Sequence, residues 1–288
     1  MLKSLIDSAA TPVKPLTRQM HQWFLIDTLL VAVAGLQLYV FTEHTNRFFA
    51  WTIDPPLTAA FLGAAYWASV PLVFLASRQT SWAHARMAVP GVFLFTTLTT
   101  IATFIHLDRF HLSSPEPIAR FAAWVWLAIY VSVPPSLLVL LFLQRRLPGG
   151  DPPREQLLPS AARAVLIAQA ATMLIIGLIL FIRPLTPLWP WTLTPLTGRA
   201  VAAWLMGIGI IAAHAAWEND WLRVRGTVFG FAILALLQVL ALARYPADIT
   251  WTNPATYLYL FFLLTILAVC IYIFAGHLSR TNAAPTMR

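Results

Sequence analysis

Charge is what this chain has least of. Only 10% of its 288 residues are Asp, Glu, Lys or Arg, against about 25% in an ordinary soluble domain. Lysine occurs only at Lys3 and Lys14, so no apolar stretch offers an amine for a Schiff base. Cysteine occurs once, at Cys270, which excludes an internal disulfide and any multi-cysteine metal site. Glycine-rich phosphate loops, dinucleotide fingerprints and nucleophile elbows are absent, which argues against an ATP-driven pump acting alone. The 19 basic residues outnumber the 11 acidic ones but are dispersed between apolar runs. A nucleic-acid partner needs a clustered basic face, so none is expected. The 22 residues before Trp23 hold Lys3, Lys14 and Arg18 but no apolar core. They do not read as a cleaved signal peptide.

What remains is apolar sequence. The chain is 59% hydrophobic with a mean hydropathy of +0.72. A soluble protein of this size cannot hide that much apolar surface, whereas a bilayer takes the place of its interior. Eight stretches are long enough to cross, at 23–42, 57–77, 87–107, 118–143, 162–182, 198–217, 226–245 and 255–276. The expected fold is therefore an all-α membrane protein with eight transmembrane helices. Positive-inside asymmetry orients it. With a cytoplasmic N-terminus, six basic residues (Arg47, Arg109, Arg120, Arg183, Arg199 and Arg244) fall outside and the other thirteen inside. Both termini are then cytoplasmic.

The segment Gln144–Glu155 is charged and rich in Pro and Gly, as a surface linker is. It divides the chain into a cytoplasmic tail (1–22), a four-helix unit (23–144), a linker (145–161), a second four-helix unit (162–276) and a second tail (277–288). The two units share landmarks. Trp51-Thr52-Ile53-Asp54-Pro55-Pro56-Leu57-Thr58 returns, with one gap, as Trp191-Thr192-Leu193-Thr194-Pro195-Leu196-Thr197. Phe41 and Trp51 recur 140 positions on as Phe181 and Trp191. Gly91 and the run Leu107-Asp108-Arg109-Phe110 recur 135 positions on as Gly226 and Leu242-Ala243-Arg244-Tyr245. An even number of spans per unit keeps both in one orientation, so the expectation is two parallel repeats about an axis along the membrane normal.

Three of the four inward-running helices open on a polar-Pro pair: Asp54-Pro55, Thr194-Pro195 and Asn253-Pro254. Glu116-Pro117 is the nearest equivalent for the other. A short polar side chain caps free amides, and Pro suits the first helical position. The functional reading beside this one has helix N-termini joining Arg109, Arg244, Arg120 and Arg199 at the outer face. An anionic group would be their partner. The plainer reading pairs them with Glu43, Asp54, Asp108, Glu116 and Asp248 on the same side. Trp51, Trp189, Trp191 and Trp251 lie at this level too, as an interfacial belt or as stacking surfaces for a ligand.

Span three carries Thr96, Thr99, Thr100 and Thr103 on one helical face, leading to His106, Asp108, Arg109 and His111. The stripe either bonds back to helix carbonyls or lines a polar path ending in titratable groups. At the equivalent positions of span seven only Gln238, opposite Thr103, stays polar. A metal centre is not expected, because spacing of five splits the two histidines and Arg109 opposes a cation. Haem lacks a matched histidine pair, so no cofactor is expected. Pro134-Pro135 should kink or break span four. Asp27, just inside span one, is expected to pair with Arg86 or Arg223.

At Trp51–Thr58, His106–His111 and Leu188–Thr197 the chain resembles a group of uncharacterised multi-span inner-membrane proteins of high-GC bacteria. The resemblance implies a location and no chemistry. The site expected from the residues is Arg109, Arg244, His106, Asp108, Trp51, Trp191, Thr103 and Gln238. The expected function is binding or transport of an anionic or lipid-like molecule from the outer face, with membrane lipids as surroundings. The alternatives are a non-catalytic subunit of a larger membrane complex, and an enzyme using His106 or His111 as a base.

Overall fold

The computed structural model describes residues 12–283. Lys3 and Arg288, and with them residues 1–11 and 284–288 of the two tails, lie outside the described residues. Eight long helices follow one another: α1 (Arg18–Val40), α2 (Pro56–Ser77), α3 (Val89–Ile105), α4 (Pro117–Arg145), α5 (Ser160–Ile182), α6 (Pro195–Glu218), α7 (Trp221–Arg244) and α8 (Pro254–Ala283). Two short helical turns, Trp82–Ala85 and Arg86–Ala88, lead into α3. Among the described residues eight helical segments are long and apolar enough to cross a membrane, the third being α3 taken together with the two turns before it, Trp82–Ile105. α1 and α7 begin five residues earlier than their apolar runs, at Arg18 and Trp221.

Helix starts follow their prolines, but the caps differ from expectation. Thr194 forms a capping box with Thr197 at the start of α6, satisfying amides that have no partner inside the helix. Asn253 Oδ1 accepts from the Ala255 amide at α8. Glu116 precedes α4 without a side-chain cap. Asp54 does not cap α2. Pro55 stands at that position, and the Leu57 amide donates to Asp248 Oδ2 at 3.1 Å. The acid comes from the loop after α7, so the second half caps a helix of the first.

Two helices form the centre. α2 and α6 are the most buried, while α1, α4, α5 and α8 leave most of their residues facing outward. Within the first half α1 packs on α2 and α3 on α4; within the second α5 packs on α6 and α7 on α8. The larger cross-half contacts are α2 with α7 and α6 with α3. Glycine makes these crossings close. A Cβ on Gly91 of α3 would stand 2.7 Å from the Gly207 carbonyl oxygen of α6. One on Gly230 of α7 would stand 2.5 Å from the Ala68 carbonyl oxygen of α2. Small residues let helix backbones approach in this way.

The buried faces of α1 and α5 follow one pattern. Met20, Phe24, Val31, Gly35 and Leu38 are buried on α1, and Ala162, Leu166, Met173, Gly177 and Leu180, each 142 positions on, are buried on α5. The Phe41–Phe181 match at 140 therefore runs two residues out of step with the packing, because the loops that follow differ in length.

Pro134 and Pro135 do not end α4, which continues to Arg145. Pro134 has no N–H for the Tyr130 carbonyl one turn back. The Thr100 hydroxyl of α3 donates to that carbonyl instead. At one end of the bundle residues 12–17 and the 146–157 linker meet, through Lys14 N–H to Gly150 O and Trp82 N–H to Lys14 O. At the other end lie the loops rich in Trp, where Thr250 N–H bonds Pro190 O and His111 N–H bonds Ala50 O. These are called the linker end and the tryptophan end below.

Candidate functional site

A large cleft lies in the second half, toward the tryptophan end. It measures about 580 Å³, within the range that holds small ligands. Its wall combines Thr172, Met173 and Ile176 of α5, Leu205 and Ile208 of α6, Leu234 and Gln238 of α7, and Leu258, Tyr259, Phe261, Phe262, Leu263 and Ile266 of α8, with Phe61 and the Pro187–Pro190 loop at one end. Met173, Leu205, Ile208, Leu234, Gln238, Leu263 and Ile266 are buried, while Thr172, Leu258 and Phe261 lie on the outward rim.

Three polar groups interrupt the apolar wall. Gln238, buried at 1% exposure, donates from Nε2 to the Phe61 carbonyl at 3.1 Å. Its Oε1 accepts the Tyr259 hydroxyl at 3.0 Å. Asn253 Nδ2 donates to the carbonyls of Pro187 and Trp189 and so fixes the loop. The third is the Trp189 indole. Its ring packs edge-on against Phe61, Trp191 and Tyr259, and its Nε1–H is buried with no partner. The lining residues carry no Arg, Lys or His.

Of the residues expected to form the site, only Gln238 lines this space. Trp191 stands behind it, bonded through Nε1 to Thr58 Oγ1 at 2.9 Å. Trp51 sits among Phe49, Phe110 and Trp126. The tryptophans are largely not an interfacial belt: Trp51, Trp189 and Trp191 are buried, and only Trp251 is exposed. Thr103 accepts the Trp126 indole N–H at 3.0 Å and donates to the Thr99 carbonyl. Thr96 also donates to carbonyls of its own helix, and the one Thr100 hydroxyl proton is shared between the Thr96 and Tyr130 carbonyls.

Arg109 and Arg244 keep different company. Arg109 is exposed and meets the neighbouring Asp108 at 3.1 Å. Arg244 folds back on α1, donating to the Tyr39 carbonyl and lying 3.9 Å from Glu43. Arg120 donates to the Ser114 carbonyl, and Arg199 bonds His106 at 2.8 Å. None of these arginines lines the cavity. The two histidines are tied down as well. Partial burial, then the Arg199 charge, hold His106 below its usual pKa, so its neutral Nε2 accepts from Arg199. His111 faces the Phe49 carbonyl through Nδ1 and Thr52 through Nε2. A carbonyl only accepts, so Nδ1 carries the proton and Nε2 accepts the hydroxyl.

The linker end holds what the sequence reading passed over. Glu218, fully buried at the end of α6, bonds Arg86, Arg223 and His214. Asp151 of the linker adds a two-pronged contact to Arg86. Asp220 accepts the amides of Glu155 and Gln156. Arg86 and Arg223 are thus occupied, and Asp27 pairs with neither. A buried acid held by two guanidinium groups and an imidazole has its charge compensated, and the network fastens the linker across both halves. No family model matches this chain, nor does any curated protein or solved structure.

Proposed function

We propose that this chain is an integral membrane protein that binds a lipid-like molecule in the second-half cavity, entering from the outer leaflet between α5 and α8. The observation that carries it is a space of about 580 Å³ with apolar walls, lined in part by Trp189, whose buried N–H has no partner. An unmet donor in such a setting costs about 1–3 kcal/mol. A hydrocarbon chain ending in an ester, carbonyl or hydroxyl oxygen would satisfy the donor and fill the walls. With no cation in the wall, the reading narrows from an anionic ligand to a neutral hydrogen-bond acceptor.

The same reading takes the chain as two four-helix units related by an axis along the membrane normal. The matched packing pairs support it, as do the matched buried faces of α1 and α5. Each unit also has an aromatic side chain of its last helix bonded to its third, Trp126 to Thr103 and Tyr259 to Gln238. Thr103 and Gln238 are counterparts at the 135-residue offset. The bias of basic residues puts the linker end in the cytoplasm of a bacterial cell and the cavity in the outer half of the inner membrane.

Native mass spectrometry of the chain released from mild detergent tests the cavity. A lipid of defined mass should stay on the wild type at one per chain. Ile176→Trp, which fills the space, should abolish it. Trp189→Phe should weaken retention about tenfold, the loss of one hydrogen bond. Equal retention in all three proteins would remove the proposal.

A further inference from the structure

The first half has a smaller space of its own, about 90 Å³, between α1, α2, α3, α4 and α6. Asp27 of α1 lines it, with Tyr66 and Ser69 of α2, Thr96 of α3 and Tyr130 of α4. Phe95, Trp126 and Trp204 complete an aromatic wall. Asp27 stands nine residues into α1, about 13 Å along its axis, at a depth where an ionisable side chain is costly unless it is compensated. Asp27 Oδ2 is shielded from solvent and has no partner.

The groups facing Asp27 leave its charge unanswered. α2 and α4 contribute Tyr66 and Tyr130, whose hydroxyls bond each other. α3 contributes Phe95 and Thr96, and the Thr96 hydroxyl is spent on carbonyls of its own helix. α6 contributes Trp204 and the glycine and isoleucines below it. No basic side chain lines the space, and the partners expected from the sequence, Arg86 and Arg223, are held by Glu218 and Asp151.

The rings are already arranged around the gap. Tyr66 meets Trp204 edge-on at 4.7 Å, Trp204 lies 4.0 Å from Phe95, and Trp126 lies 4.1 Å from Tyr130. Aromatic faces beside one carboxylate attract a cation. The volume sets its size. A cavity of about 150 Å³ holds benzene, and a water occupies about 30 Å³ of liquid. A space of about 90 Å³ admits an ammonium or methylammonium ion and excludes a choline headgroup. A bare proton would need no cavity.

The counterpart of Asp27, 142 positions on, is Gln169. It is neutral and donates to Thr265 of α8. The acid is therefore a property of the first half, not of the shared scaffold.

We propose that Asp27 and the Tyr66, Phe95, Trp126, Tyr130 and Trp204 rings form a binding site for a small primary-ammonium cation inside the membrane.

Thermal unfolding of the full chain in detergent at pH 8 tests this, with methylammonium chloride titrated against sodium chloride and choline chloride at constant ionic strength. The wild type should show a saturable rise of several degrees with methylammonium alone. The isosteric Asp27→Asn should lose that rise, and the cavity-filling Ile176→Trp should keep it. Three results would overturn the proposal: equal shifts with sodium, an undiminished rise in Asp27→Asn, or a wild type whose stability follows pH but ignores methylammonium. If Asp27→Asn fails to accumulate, the wild-type comparison of methylammonium with sodium and choline still decides.

Discussion

The two halves pack their helices in the same pairs, yet the spaces between those helices differ in size and charge. In the first half the space is about 90 Å³ and holds an acid without a counter-ion. In the second it is about 580 Å³, neutral and mostly apolar. The bonds that border the two spaces also differ. α3 and α4 are joined by Trp126 on Thr103 and Thr100 on the Tyr130 carbonyl. α5 and α8, which border the larger space, are joined at this depth by Gln169 and Thr265. A scaffold set by glycine crossings and shared burial can thus carry different chemistry in each half. Backbone packing constrains the crossings, and the side chains lining the gaps are free to diverge.

The comparison is sharpest at matched positions. Counting from Thr58 and Thr197, the counterpart of Glu218 is Gln79. Glu218→Gln leaves Arg86 and Arg223 buried beside a neutral group, and removing one partner of a buried ion pair costs about 3–5 kcal/mol. Gln79 bonds only its own helix, so Gln79→Ala should cost well under half of that. Thermal or urea unfolding in detergent checks both, and equal costs would break the contrast between the two ends of the helices.

Next in size are the crossings. Gly91→Ala and Gly230→Ala each set a methyl against backbone on a facing helix, where overpacking costs about 1–3 kcal/mol. Matched losses in the unfolding midpoint are expected if the crossings are equivalent. A neutral result at one of them would show that the halves pack differently.

An effect of similar size is expected at the aromatic tethers. Thr103→Val strands the Trp126 indole N–H, and Gln238→Leu strands the Tyr259 hydroxyl. Each should cost about 1–3 kcal/mol, the penalty of an unmet buried group. Only Gln238→Leu should also alter lipid retention, because only Gln238 lines the large cavity.

The smallest effect concerns His106. Its folded pKa lies below the ordinary value of 6.5, so the unfolded chain binds the proton more readily. Its contribution is complete above pH 6.5 and is lost as the pH falls from there through the lowered folded value. His106→Gln should flatten the fall in melting temperature over that window, and an unchanged slope would remove the Arg199 contact from the account.

Much of the fold was legible because a bilayer demands long apolar runs, and proline marks where helices start. Eight spans and the starts at Pro117, Pro195 and Pro254 follow from those two facts. The partners of charged side chains were not legible. Asp27 reads as an ion-pair partner of Arg86, but helix rotation turns it inward, and Arg86 reaches Glu218 instead. Glu218 reads as part of a polar surface turn, since nothing in one sequence shows that two arginines and a histidine converge on it. Arg109 and Arg244 align, yet one ends a helix beside its own Asp108 while the other folds back on Tyr39. The large cavity left no mark at all, because it is the gap between two helices rather than a pattern within either. Gln238 was found because it breaks an apolar face, and Trp189 was named for its level in the membrane alone.

A density map of the full chain in lipid nanodiscs, resolved well enough to trace an acyl chain, tests the division of labour most directly. The account predicts elongated density between α5 and α8 with its polar end within hydrogen-bond distance of Trp189 Nε1. Density lying instead against Arg109 or Arg244, with the second-half cavity collapsed, would contradict it.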